Sequence, residues 1–186
     1  GPDPTSAQLC LIDRASFDPN DKAAEPKGLG LEGAIDKSQS LNYRIRFQNT
    51  GTDTAFLVVI LDTLSENLDL LSIRNVRSSH PMQMNVLPGR ILEFAFPNIL
   101  LPDSNVNEPL SHGAVSYQIA IEDPSVLQPV SNQAAIYFDF NPPIYTNTVT
   151  TMRAENPVVL GTSSLCGGDT IQLSANLLPD FTYYWT

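Results

Sequence analysis

Leu41, Tyr43, Ile45 and Phe47 alternate with Asn42, Arg44, Arg46 and Gln48. A period of two over such a stretch is the mark of a β-strand with one buried and one wet face, and it is incompatible with a helical stripe. The alternation returns in residues 115–121, where Val115, Tyr117, Ile119 and Ile121 stand against Ser116, Gln118 and Ala120. In residues 91–96, Leu92, Phe94 and Phe96 oppose Ile91, Glu93 and Ala95 before Pro97 ends the strand. Residues 56–61 are continuously apolar and fit a more deeply buried strand. Residues 71–76 give a weaker strand, and residues 134–140 a strong one stopped by Pro142-Pro143. A first strand is placed near Lys22. Residues 62–69 read as one helical turn capped by Asp62 or Thr63, and residues 97–113 as a long connection. About seven strands with turn residues between them predict an all-β, two-sheet antiparallel sandwich.

Composition narrows the class further. Charged residues are only 16% of the chain and there are 15 Pro, which suits strands and turns better than surface helices. The net charge of −10 makes nucleic acids and anionic membranes poor partners, while cations are better ones. The same acidity also serves solubility outside a cell. The longest apolar run, residues 55–61, is far shorter than the ~18 residues of a membrane-spanning helix. Gly1-Pro2 has the look of a tag-cleavage scar. Residues 1–14 read as a lead-in segment, 15–150 as the sandwich and 151–156 as a linker. Residues 157–186 read as the N-terminal part of a second β module, because about 30 residues cannot close a sandwich. Cys10 and Cys166 fall in different units. They can pair with each other, pair outside this chain segment, or stay free.

The segments SFDPNDK (16–22), LNYRIRFQNTGTDTA (41–55), LDTLSENLDLLS (61–72), NILLPDSNVNEPLSHG (98–113) and NQAAIYFDFNPPIYTNT (132–148) resemble an immunoglobulin-like repeat domain of large secreted Bacteroidota proteins. The resemblance covers about residues 15–150. It implies an extracellular location and a place shortly before further modules and a sorting domain for type IX secretion. SLCGGDTIQLSA (164–175) resembles the first half of a PKD- or Ig-like module, in which the resemblance implies a partner for Cys166 beyond Thr186.

Two chemistries are weighed on named residues. Asp18, Asn20 and Asp21 offer the hard oxygen ligands calcium prefers, in a D-P-N-D string similar to cadherin linkers. Asp53, Glu122 and Asp123 are the expected partners at the same pole, with Asp139 and Asn141 at the other. The competing reading has Asp18 and Asn20 capping a turn. The second chemistry is an intramolecular isopeptide bond between Lys22 on the first strand and Asn132 near the last. It needs a neutral amine and a buried acid, for which Glu93 is the sequence candidate. Against it, Lys22 follows a polar turn and reads as exposed beside Asp21.

Hydrolysis has little to stand on. Ser79-His80 and Ser111-His112 are sequence neighbours only, and no G-x-S-x-G, HExxH or phosphate loop occurs. Tyr43, Phe47, Phe56, Phe94, Phe96, Tyr117, Tyr137, Phe138 and Phe140 read mostly as core, with one face of the last strand free for a glycan or a neighbouring domain. The sequence therefore predicts a non-catalytic spacer module of a secreted or surface protein, with calcium as the one possible cofactor. Its partners would be neighbouring domains of the same chain. An adhesive module for glycans or surface proteins is the alternative, and a stalk domain with the Lys22–Asn132 bond is the next.

Overall fold

Alternating burial, not helix, organises the chain. The computed structural model describes residues 19–28, 34–36, 40–122 and 129–154, and among these residues it is built of twelve strands. They are β1 (Asp21–Glu25), β2 (Ala34–Asp36), β3 (Leu41–Gln48), β4 (Ala55–Thr63), β5 (Leu68–Ser78) and β6 (Gln83–Leu87). Then follow β7 (Ile91–Leu101), β8 (His112–Ile121), β9 (Val130–Asn132), β10 (Ala134–Phe138), β11 (Ile144–Tyr145) and β12 (Val149–Ala154). A short helix, α1 (Ser104–Asn107), is capped by Asp103, whose carboxylate accepts from the Asn105 and Val106 N–H groups, and a 3-10 turn at Glu108–Leu110 follows it.

One sheet has the order β1-β3-β8-β5 and the other β11-β10-β4-β7-β6, all antiparallel; β2, β12 and β9 form a smaller third. The inward residues of β3 and β8 meet those of β4, β7 and β10. Phe47 stacks on Phe96 at 5.3 Å and Phe94 on Tyr117 at 5.7 Å between ring centroids. Leu41, Ile45, Val58, Ile60, Leu92, Ile119 and Ile136 are fully buried around them. Each such side chain contributes about 1.5–3 kcal/mol by leaving water. The expected all-β immunoglobulin-like sandwich is the fold.

Gly113 shows how close the packing is. A Cβ built there would lie 2.1 Å from Cζ of the Phe47 ring, and Phe47 is itself fully buried between the sheets. Gly113→Ala should therefore lower stability by about 1–3 kcal/mol, the range for overpacking, read as a lower urea midpoint at unchanged slope.

Several sequence expectations need correction. Residues 62 and 63 are the end of β4, and the turn comes later at residues 66–67, so Asp62 caps no helix. β7 does not stop at Pro97. It continues to Leu101, because β6 begins opposite Ala95 and leaves that side of β7 unpaired beyond it, where a missing N–H costs no ladder bond. β6 has no counterpart in the sequence reading. β10 ends at Phe138, and Asp139 follows in the left-handed region at φ 52°. The linker placed at residues 151–156 is in large part β12, which pairs with β2 and β9 and so belongs to the sandwich. The lead-in segment, the second module, Cys10 and Cys166 lie outside the described residues.

Candidate functional site

In an antiparallel pair, residues directly opposite share a face. Lys22 is opposite Ile45 and Ala24 opposite Tyr43, so Lys22 inherits the inward direction of the β3 core stripe. It is 2% exposed. β1 is an edge strand, and a side-chain amide fixes its open side. Asn147 Oδ1 accepts from the Lys22 N–H and Asn147 Nδ2 donates to the Lys22 carbonyl, each at 2.9 Å. From the other sheet, Asp62 follows Val58 and Ile60 on the inward parity of β4 and is fully buried.

The two charges meet in the core. Lys22 Nζ donates to Asp62 Oδ2, and Tyr117 Oη donates to the same oxygen at 2.7 Å. Nζ also lies 4.4 Å from the centroid of the Tyr43 ring, which packs 5.5 Å from Tyr117. Asn132, on β9 two residues before β10, completes the group at 2% exposure and lies beside both phenols.

What sets this cluster apart is its unpaired atoms. Five buried side-chain N or O atoms among the described residues have no hydrogen-bond partner, and four are here: Asn132 Nδ2 and Oδ1, Asp62 Oδ1 and Tyr43 Oη. Each such group costs about 1–3 kcal/mol in lost solvation, and folded proteins keep few of them without a reason. Burial pushes the Lys22 ammonium below its ordinary range, opposed by the Asp62 charge and hydrogen bond. Burial first, and the Asp62 charge second, push both Tyr43 and Tyr117 up, so both phenols keep their protons. A buried ion pair is weak support for stability, since desolvation offsets the attraction. Its chemistry is the better clue. Moving one proton from Nζ to the carboxylate leaves two neutral groups, one of them a nucleophilic amine, in the same buried cluster as an amide with open valences for hydrogen bonding.

The structure thus places two of the three isopeptide candidates, Lys22 and Asn132, around the same two tyrosines, and leaves the third outside the core. Glu93 is on the outward parity of β7, opposite Asn85 of β6, whose Nδ2 donates to it at 2.9 Å on the surface. The acid in the core is Asp62. Parity could have found it, since it sits two residues beyond Ile60 just as Lys22 sits two before Ala24. Reading the apolar run as ending at Leu61 hid that signal.

The calcium candidates are not gathered. Asn20 is buried and its Oδ1 accepts from the Gln48 N–H, while Asp21 is forked by Arg46 with both contacts at 2.6 Å. Asp53 accepts from the Thr54 N–H in the connection after β3. Glu122 follows β8 beyond Ile119, which pairs with Leu41 at the start of β3, so it lies at the opposite pole from Asp53. Asp139, expected away from Asp53, is at the Asp53 end, where its Oδ1 caps the Phe56 and Leu57 N–H groups. Asp18 and Asp123 lie outside the described residues. Ser79 contacts its neighbour His80, and His112 pairs with Glu108, both at the surface. Of the aromatics, Phe56 and Phe140 are exposed and Tyr137 faces outward; the others fill the core.

Residues 18–152 match the model of a family described as a domain of unknown function, DUF7619. The chain belongs to the DUF7619 family. No match was found among curated protein sequences. Solved structures similar to this DUF7619 domain include the N-terminal domain of the Streptococcus gordonii adhesin Sgo0707, with a TM-score of 0.52 and 14% identity over 74% of this chain and 33% of that one. The C-terminal domain of the Streptococcus pyogenes antigen I/II-family protein AspA gives 0.52 and 16% over 74% and 47%. BcpA, the major pilin subunit of Bacillus cereus, gives 0.51 and 14% over 72% and 39%. The chain thus spans less than half the length of these structures, and the likeness is one of fold.

Proposed function

We propose that the DUF7619 domain is a self-crosslinking structural module in which Lys22 and Asn132 form an isopeptide bond between the first strand and the strand that leads into β10. The observations that support it are the buried Lys22–Asp62 pair and a buried Asn132 amide, without a hydrogen-bond partner, that shares the neighbouring Tyr43 and Tyr117 with that pair. With its proton passed to Asp62, Nζ attacks Asn132 Cγ and the carbonyl electrons move to Oδ1. A second proton leaves Nζ and one is delivered to Nδ2 through Asp62. The carbonyl re-forms, the Cγ–Nδ2 bond breaks and ammonia leaves, with Asp62 left holding the proton first taken from Nζ; passing that proton to the departing ammonia releases ammonium and returns Asp62 to the carboxylate. Atoms and charge balance with no cofactor. Tyr117 holds Asp62 Oδ2 in place, and Oδ1 stays open for the proton transfer.

Around that bond, the module reads as a spacer in a large secreted or surface-attached protein, serving neighbouring domains of the same chain. The similar adhesin and pilin folds support this reading, as does the resemblance to Bacteroidota repeat domains exported by type IX secretion. Intact-mass measurement tests the bond. The chain should be lighter than its sequence by one ammonia, about 17 Da, and a protease digest should yield a branched peptide joining Lys22 to Asn132. A mass equal to that of the sequence sinks the proposal.

A further inference from the structure

The chain carries 20 acidic and 10 basic residues, yet four arginines gather on the outer face of the β1-β3-β8-β5 sheet. Arg44 and Arg46 stand on the outward parity of β3, and Arg74 and Arg77 project from β5 on the far side of β8. The register aligns them. Ala23, Arg44, Ser116 and Arg77 form one row across the sheet, and Glu25, Asn42, Gln118 and Arg74 the next. Between the arginine-bearing strands, β8 presents only Ala114, Ser116, Gln118 and Ala120, a low floor. With strands about 4.8 Å apart, the backbones of Arg44 and Arg77 flank Ser116 at roughly 10 Å.

Arg44, Arg74 and Arg77 are exposed, and none forms a salt bridge among the described residues. Arg74 is held outward by Gln118 at 3.0 Å and Ser40 at 3.1 Å, neutral partners that position its charge without cancelling it. The nearby acids are mostly engaged. Asp21 is taken by Arg46, Glu108 by His112, and Asp69 by the Leu71 N–H, while Glu25 stands exposed on β1, diagonal to Arg44 and on the side of it away from Ser116 and Arg77. A groove of about 530 Å³ at one end of this face adds Arg44, Arg46, Ser79 and His112 to its lining.

We infer that this face is a docking surface for an acidic, carboxylate-bearing polysaccharide laid across Ser116 between Arg44 and Arg77. Planar guanidinium groups fork carboxylates, and the low polar floor admits a flat chain of sugars. A folded protein partner would need a buried aromatic or aliphatic anchor, and the floor has none. Duplex nucleic acid, with one charge per ~1.7 Å, would meet strong repulsion from a chain of net charge −10, whereas a polyuronide spreads one charge per sugar.

Binding to immobilised polygalacturonate at low salt tests this, with dextran as the neutral control. The wild-type domain should be retained on the acidic polymer only and released by salt. Arg44→Gln/Arg77→Gln should bind about tenfold or more weakly with an unchanged melting temperature, since both side chains are exposed. Arg44→Gln alone should lose more than Lys27→Gln, a surface change of equal charge. Absence of retention, equal losses in those two single variants, or tighter binding to duplex DNA would each overturn the inference.

Discussion

Asp62→Asn is expected to leave the chain at its full sequence mass, with no loss of ammonia and no branched peptide. The substitution keeps the side chain's volume but removes the group that relays protons between Lys22 and the departing nitrogen. General acid–base assistance of this kind is worth about 10²–10⁴ in rate. The variant also separates two explanations. The Asp62 charge and hydrogen bond raise the Lys22 pKa against the larger effect of burial, so removing them drives the amine further towards its neutral form. If the bond still fails to form, proton transfer and not the state of the nucleophile is what was lost. Tyr117→Phe should slow the reaction without abolishing it, because it deletes one hydrogen bond to Asp62 and leaves the acid in place. Time-resolved intact mass after refolding reads both, and a full-rate reaction in Asp62→Asn would remove Asp62 from the chemistry.

Asn132→Ala should melt far below the parent. A crosslink closing a loop of about 110 residues removes roughly 4–5 kcal/mol of chain entropy from the unfolded state. For a domain of this size that corresponds to roughly 15–20 °C in melting temperature. Lys22→Ala should fall lower still. It loses the same bond and also leaves Asp62 buried with its cation gone and Tyr117 as its hydrogen-bond donor, a broken buried pair costing about 3–5 kcal/mol. The order parent, Asn132→Ala, Lys22→Ala is measured by calorimetry. A parent that carries the bond yet melts within a degree or two of Asn132→Ala would show that the loop-closure account is wrong.

The sandwich was legible because its central strands alternate cleanly. β3 and β8 could be read residue by residue, and they carry the core. The edge was not legible. β6, with its largely exposed QMNVL, has no buried stripe to generate a period, and β12 takes its place through pairing with strands distant in sequence. At the site, Lys22 and Asn132 could be named from their positions near the first and last strands, but burial of Lys22 could not. The polar string before it suggested water, whereas its pairing with Ile45 turns it inward. Glu93 and Asp62 differ only in strand parity, and the sequence reading stopped β4 one residue too early to see it.

The clamp of Asn147 on the Lys22 backbone, and the pairing of Asn132 with Val149 of β12, put both ends of the proposed bond beside the strand by which the domain's chain leaves. Tension pulling the protein lengthwise would enter through β1 and exit through β12 along this short covalent bridge. About 110 residues between the bridged positions would then carry no load, and some 350–400 Å of extended chain would be withheld from stretching. The domain would behave under force as a nearly inextensible link.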